Sequence, residues 1–353
     1  MIARSSRGRV ALAVPWFLLI GCATSSGLTR LDPLPLPPAA ASACRATPSG
    51  KVSLPADDGL HEQPVEWWYW TGHLKTEEGR WFGFEEVFFR GKFKGLSSKM
   101  SHMAITDLAT GQFHHGSANG LGDVIAPPGG FDLSLGKFGA IGGNGRDHLH
   151  GTVDGYELDV DLKATKAPVL QHGVGYTDYP FGGNTYYYSR ERMAAEGTLT
   201  LDGTPRKVSG TAWFDHQYGD LFKTAKLGWD WYAIQLDDGR DLMLFVVRDP
   251  AGAVLVGGSL STPECETKEI TEYKVTPLGT WVSPHTGCSY PMGWRIEAAG
   301  TTLDVTPVMN DQELFTSHPI YWEGAATVSG GATGRAYVEL TGYCRQGNPP
   351  PSK

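Results

Sequence analysis

The stretch Trp67-Trp68-Tyr69-Trp70-Thr71-Gly72-His73-Leu74 returns later in the chain as Trp229-Asp230-Trp231-Tyr232-Ala233-Ile234-Gln235-Leu236. Each copy leads into a Gly-Arg turn, Gly79-Arg80 and Gly239-Arg240. An apolar run follows each turn, Trp81 to Phe89 and Asp241 to Val247. Aromatic and β-branched runs around a glycine turn read as a long hairpin. A second pair matches as well: Gly210-Thr211-Ala212-Trp213-Phe214-Asp215 with Gly334-Arg335-Ala336-Tyr337-Val338-Glu339, each after a Glu-Gly step (Glu196-Gly197, Glu323-Gly324). Each half thus opens on one recognisable hairpin and closes on one recognisable strand. A self-similar chain is read first as a repeat, and the two units fall at 55–222 and 226–346.

The composition agrees with an all-β reading. There are 11 Trp, 14 Tyr, 14 Phe and 46 Gly, while charged residues make up only 19%. This describes strands with aromatic interiors and many tight turns. Asp154-Gly155, Asp202-Gly203 and Asp238-Gly239 are hairpin turn signals, and no long amphipathic helix stands out. Gly139 to Gly145 is glycine-rich, but no helix follows it, so it reads as a loop and not as a phosphate cradle.

The N-terminus carries a leader. Arg4, Arg7 and Arg9 precede an apolar run from Val10 to Gly21 with no acidic residue. That run is too short to span a bilayer, where about 20 residues are needed, so residues 1–21 read as a signal peptide. Leu18-Leu19-Ile20-Gly21-Cys22 has the form of a lipobox, which makes Cys22 the lipid-bearing first residue of the mature chain. Residues 22–54, rich in Pro and Ala, read as an extended tether. The expected location is the envelope: exported, anchored by lipid, and facing the periplasm from the outer membrane. Loss of three arginines takes the net charge from −8 to −11, which excludes a nucleic-acid partner. Cys44, Cys265, Cys288 and Cys344 remain as an even set in an oxidising compartment. Of three pairings, Cys265–Cys288 with Cys44–Cys344 closes the shortest loop.

Strand side chains alternate between faces. Trp67, Tyr69, Thr71 and His73 share one face. So do Trp229, Trp231, Ala233 and Gln235, and Asp215 lies with Trp213 and Gln217 as Glu339 lies with Tyr337 and Thr341. A carboxyl tip among rings suits a ligand site inside a barrel.

Five motifs, Glu66 to Leu74, Tyr188-Ser189-Arg190, Ala212 to Gly219, Gly228 to Leu236 and Tyr337 to Tyr343, resemble the AttH-like and carotenoid 1,2-hydratase (hydroxyneurosporene synthase) family over residues 55–346. The resemblance implies two consecutive lipocalin-like antiparallel β-barrels. It also implies a proton-donating aspartate, which maps to Asp215. His216 would partner it or position water, and Trp213 supplies the aromatic residue two places before. Protonating a C=C bond calls for a carboxyl kept neutral by burial and for rings that stabilise a cation. The residues expected to hold the substrate are Trp68, Tyr69, His73, Tyr188, Arg190, Trp213, Tyr218, Trp229, Trp231 and Gln235. Arg190 is expected to pair with Glu66, Glu85 or Asp215.

The expected ligand is an elongated apolar or isoprenoid-like small molecule. The chain either hydrates, isomerises or cyclises it, or carries it unchanged as a lipocalin-type chaperone. A secreted hydrolase is a further reading, though no Gly-x-Ser-x-Gly elbow occurs. An envelope export or transport complex is a third kind of partner. No cofactor motif is present. His148-x-His150 and His114-His115 lack a third ligand, so no metal is expected.

Overall fold

The computed structural model describes residues 49–223 and 226–344. The leader, Cys22 and Cys44 lie outside the described residues. Most of what is described is antiparallel strand, joined by turns and loops, beside one 3-10 turn at Ala56–Asp58.

The first sheet holds β1 (Val65–Thr76), β2 (Trp81–Phe93), β3 (Leu96–Asp107), β4 (Gln112–Leu121), β5 (Phe131–Leu135) and β6 (Phe138–Gly143). It continues with β7 (Arg146–Val153), β8 (Tyr156–Ala164), β9 (Val169–Leu170), β10 (Tyr176–Asp178), β11 (Asn184–Leu201) and β12 (Thr204–Asp220). The second holds β13 (Gly228–Leu236), β14 (Asp241–Asp249), β15 (Gly252–Ser261), β16 (Thr267–Glu269) and β17 (Lys274–Val282). It ends with β18 (Ser289–Ala298), β19 (Thr301–Pro307), β20 (Glu313–Leu314), β21 (Tyr321–Gly330) and β22 (Gly334–Leu340).

The two sheets follow the same strand order, the first carrying one further strand, β5, at its end. The first runs β4-β3-β2-β1-β12-β11-β8-β7-β6-β5 and the second β16-β15-β14-β13-β22-β21-β19-β18-β17. Each curls into a lipocalin-like barrel around its own core. Trp68, Trp70, Phe82, Phe84 and Phe214 fill the first; Tyr232, Trp294 and Trp322 fill the second. The barrels also meet in corresponding ways, β2 against β21 and β14 against β11. Left-handed Asp154 and Asp202, each followed by a left-handed glycine, close two of the expected hairpins.

Four details differ from the sequence reading. The Gly139 to Gly145 stretch is strand as far as Gly143, because its glycines make room for neighbours: a Cβ on Gly139 would stand 2.2 Å from the His150 ring. The chain before Leu54 is already docked, since Val52 is buried in the first core and Lys51 N–H donates to the Val174 carbonyl. The Glu-Gly steps are not equivalent: Glu323 pairs in register with Glu339, but Ser189, not Glu196, pairs with Asp215. Finally, Cys288 is bonded to Cys344, with Cα atoms 5.4 Å apart, and not to Cys265. Loop length misled here, because β18 and the end of β22 bring residues 56 positions apart together.

Candidate active site

The polar faces read from the sequence lie outside each barrel and are buried between the two. Tyr69 is the register partner of Asp215, and Trp231 that of Glu339. These four line a cleft together with Trp67, Phe89, His172, Tyr187, Trp229 and Phe245. Its empty volume is about 820 Å³, open mouth included, the size of a small-molecule site.

Asp215 is buried at the cleft wall. Tyr187 Oη–H and Ser189 Oγ–H each donate to it at 2.5 Å, and Trp213 Nε1–H at 2.8 Å. Burial pushes its carboxyl up to about 6, against the downward pull of those three donors. Trp231 Nε1–H donates at 3.2 Å to the Tyr187 hydroxyl, so the second barrel holds a donor of the first. Glu339 has one donor, Trp229 Nε1–H at 3.0 Å. Burial and the neighbouring Asp215 charge push it up to about 7.

Two more carboxyls lie along the same interface. Tyr69 Oη–H donates across to Glu323 at 2.8 Å, and the Tyr321 hydroxyl stands 3.0 Å from Glu85 and 2.8 Å from His102 Nδ1. Burial drives Glu85 up to about 8, and burial with the nearby Glu339 and Glu85 charges drives Glu323 well above the usual carboxylate range. Among the described residues no cation pairs with Asp215, Glu339, Glu323 or Glu85. Burial without a cation raises a carboxyl's hold on its proton.

Of the expected substrate residues, Tyr69, Trp229 and Trp231 line the cleft, and Trp213 packs behind Asp215. His73 and Gln235 lie farther along the interface in a second, smaller recess with Trp213. Trp68, Tyr188, Arg190, His216 and Tyr218 do not line the cleft. Strand alternation turns them to the other face, toward the first barrel's interior. There His216 Nε2 is 2.9 Å from Glu66, Trp68 stacks on His216, and Tyr218 Oη–H donates to Asp57. His216 therefore does not partner Asp215, its neighbour in sequence. Arg190 pairs with Asp58 at 2.7 Å, a residue outside its expected partners. His61, Glu66 and His216 offer ligand atoms within 4.8 Å of one another, the metal-like grouping of the described residues apart from one that includes the Cys288–Cys344 disulfide. Both rings already bond Glu66 Oε1.

The sequence does not assign His172, Tyr187, Glu323 or Glu85 to the site; Glu85 is expected only as a partner of Arg190, and Glu323 only as a strand start. Tyr187 was visible as the opposite-face neighbour of Tyr188. His172 sits in a loop at a left-handed φ of 56°, where no period marks a residue. Its imidazole is nearly edge-on to Phe245 at 5.6 Å, and burial lowers it to about 4, so the ring is neutral. It also borders a side recess with Ser259, Thr267 and Glu269.

No curated protein matches the chain in sequence. Among solved structures, an AttH protein of Nitrosomonas europaea is 29% identical with a TM-score of 0.76, covering 84% of this chain and 100% of that one. Kievitone hydratase of Nectria haematococca is 17% identical with a TM-score of 0.69, covering 87% of this chain and 99% of that one, a likeness of fold. The AttH-like family model matches residues 45–343. With that match running through both barrels, the chain belongs to the AttH-like family.

Proposed function

We propose that this protein is an exported lipoprotein, anchored through Cys22, whose inter-barrel cleft protonates a C=C bond of an elongated apolar small molecule and so hydrates, isomerises or cyclises it. The observation that carries the reading is a pair of carboxyls, Asp215 and Glu339, in an aromatic cleft with no cation beside either among the described residues. Near neutral pH Glu339 is the better proton donor, because it holds its proton to a higher pH and has only one donor opposing it. Asp215, ionised more readily under its three donors, is the matching base.

In hydration, the alkene takes a proton from Glu339 and becomes a carbocation. The rings of Trp229, Trp231 and Tyr69 stabilise the positive charge. Water adds to the cation and its surplus proton passes to Asp215, and solvent exchange then restores both acids. In isomerisation Asp215 removes a proton from the cation and no water adds. His172, neutral and placed between the cleft and the polar side recess, suits the route by which water arrives.

The test is mass spectrometry of apolar material recovered with the wild type, Asp215→Asn and Glu339→Gln. The wild type should accumulate a product differing by one water or by a shifted double bond, and the variants should retain precursor. Identical bound species in all three would leave a carrier, not a catalyst.

A further inference from the structure

The strands that line the cleft end in an exposed apolar rim. β2 carries Phe89 into the cleft and finishes four residues later at Phe93. β12 carries Gln217 into the cleft, and Phe222 follows its end. Their rings meet edge to face at 6.1 Å. Across the turn from Phe93 stands Leu96, 78% exposed, and the next strand ends at Leu121, 88% exposed. Phe93 itself is 63% exposed and Phe222 42%. Apolar side chains gathered at one end of a water-soluble surface mark a contact site.

Lysines are set among them. Lys94, left-handed in the hairpin turn, holds its ammonium 5.3 Å from the Phe93 ring centre, and Lys223 follows Phe222. Neither is ion-paired among the described residues. The neighbouring acids Glu62 and Asp123 are taken by Lys92 and Arg90. In a chain of net charge −8, this end sets two lysines without ion-pair partners among the described residues against one exposed acid, Asp220, beside its apolar side chains. Rings and aliphatic chains that enter a headgroup layer, beside lysines that meet phosphate, are the chemistry of an anionic membrane surface.

We propose that this end of the first barrel docks on an anionic phospholipid bilayer through Phe93, Leu96, Leu121 and Phe222, with Lys94 and Lys223 on lipid phosphates, so that the cleft loads its ligand from the membrane. The docking concerns how the cleft is filled and does not depend on turnover. The test uses the chain from Ala23 onward, which lacks leader and lipid but keeps every described residue. It is floated with vesicles of phosphatidylethanolamine and phosphatidylglycerol, and separately with phosphatidylcholine alone. Binding should favour the anionic vesicles and weaken with salt. The double variant Phe93→Ser with Leu96→Ser, its fold checked by circular dichroism, should bind at least about tenfold less. Equal binding by both chains, or none by the parent, overturns the proposal. Self-association of the parent that the double variant abolishes, without vesicle binding, assigns the rim to a second copy and equally overturns it.

Discussion

Asp215 and Glu339 stand at corresponding places in the two barrels, each on the last long strand and each beside the strand that opens its repeat, yet three donors hold one and a single indole holds the other. A glutamate ordinarily holds its proton more tightly than an aspartate, and the extra donors on Asp215 together with the Asp215 charge beside Glu339 keep the two apart, at about 6 and about 7. Two titrating groups pushed apart by their surroundings are how one site supplies both an acid and a base.

A narrow pH optimum follows for turnover. The rate should rise as pH climbs through about 6, where Asp215 loses its proton, and fall through about 7, where Glu339 loses its own. Product formation followed from about pH 5 to about pH 9 would show the bell. Glu339→Gln should lower the rate by about a hundredfold or more. A flat profile would remove both carboxyls from the mechanism.

Glu85 should make the protein less stable in alkali. Folded Glu85 keeps its proton up to about pH 8, whereas an unfolded glutamate releases it near 4.5. Between these values the folded state binds more protons, so stability falls as pH rises through the window and levels off above it. Glu85→Gln should flatten that fall, by up to a few kcal/mol at about 1.4 kcal/mol per pH unit. Urea midpoints at the two ends of the window decide it; an unchanged slope in the variant refutes the assignment.

The ion pair of Asp58 and Arg190 seals the first barrel from within. Tyr188 also donates to Asp58, and Asn144 N–H donates to it at 2.6 Å. Arg190→Met strands a buried carboxylate and should cost about 3–5 kcal/mol. Thermal melting reads the loss; a cost under about 1 kcal/mol would mean that the pair is dispensable.

The Cys288–Cys344 bond fastens the end of the last strand to β18. Replacing both cysteines with serine should cost about 2–4 kcal/mol, as expected for a loop of this length. Peptide mapping under non-reducing conditions gives an independent check: a Cys265–Cys288 peptide would contradict the pairing.

The two-barrel plan was legible because strand alternation and a repeat leave marks in sequence. The aligned motifs marked Asp215 and Glu339 as corresponding residues, whereas the pairing of Tyr69 with Asp215 and of Trp231 with Glu339 is set by the strand register. What failed had a geometric cause. His216 and Arg190 sit within motifs, but parity on a strand sends them to the interior, while Asp215 faces the other barrel. Asp58 and His172 come from irregular segments that carry no period. Of the two places the sequence leaves open for a ligand, within a barrel or between the two, the aromatic cleft lies between them, since each interior is filled by its own aromatic residues.

The matching strand orders have one more outcome. A cleft between two copies of one fold would present the same wall twice if the copies were identical, and a long molecule could then lie in it either way round. Here the corresponding positions differ: Ser189 faces Glu323 across the pseudo-symmetry, Tyr69 faces Trp231, and Asp215 faces Glu339. These differences give the cleft a head and a tail. Under the proposed function, a bound chain would be told apart end from end, which would let the cleft act on one double bond among several alike.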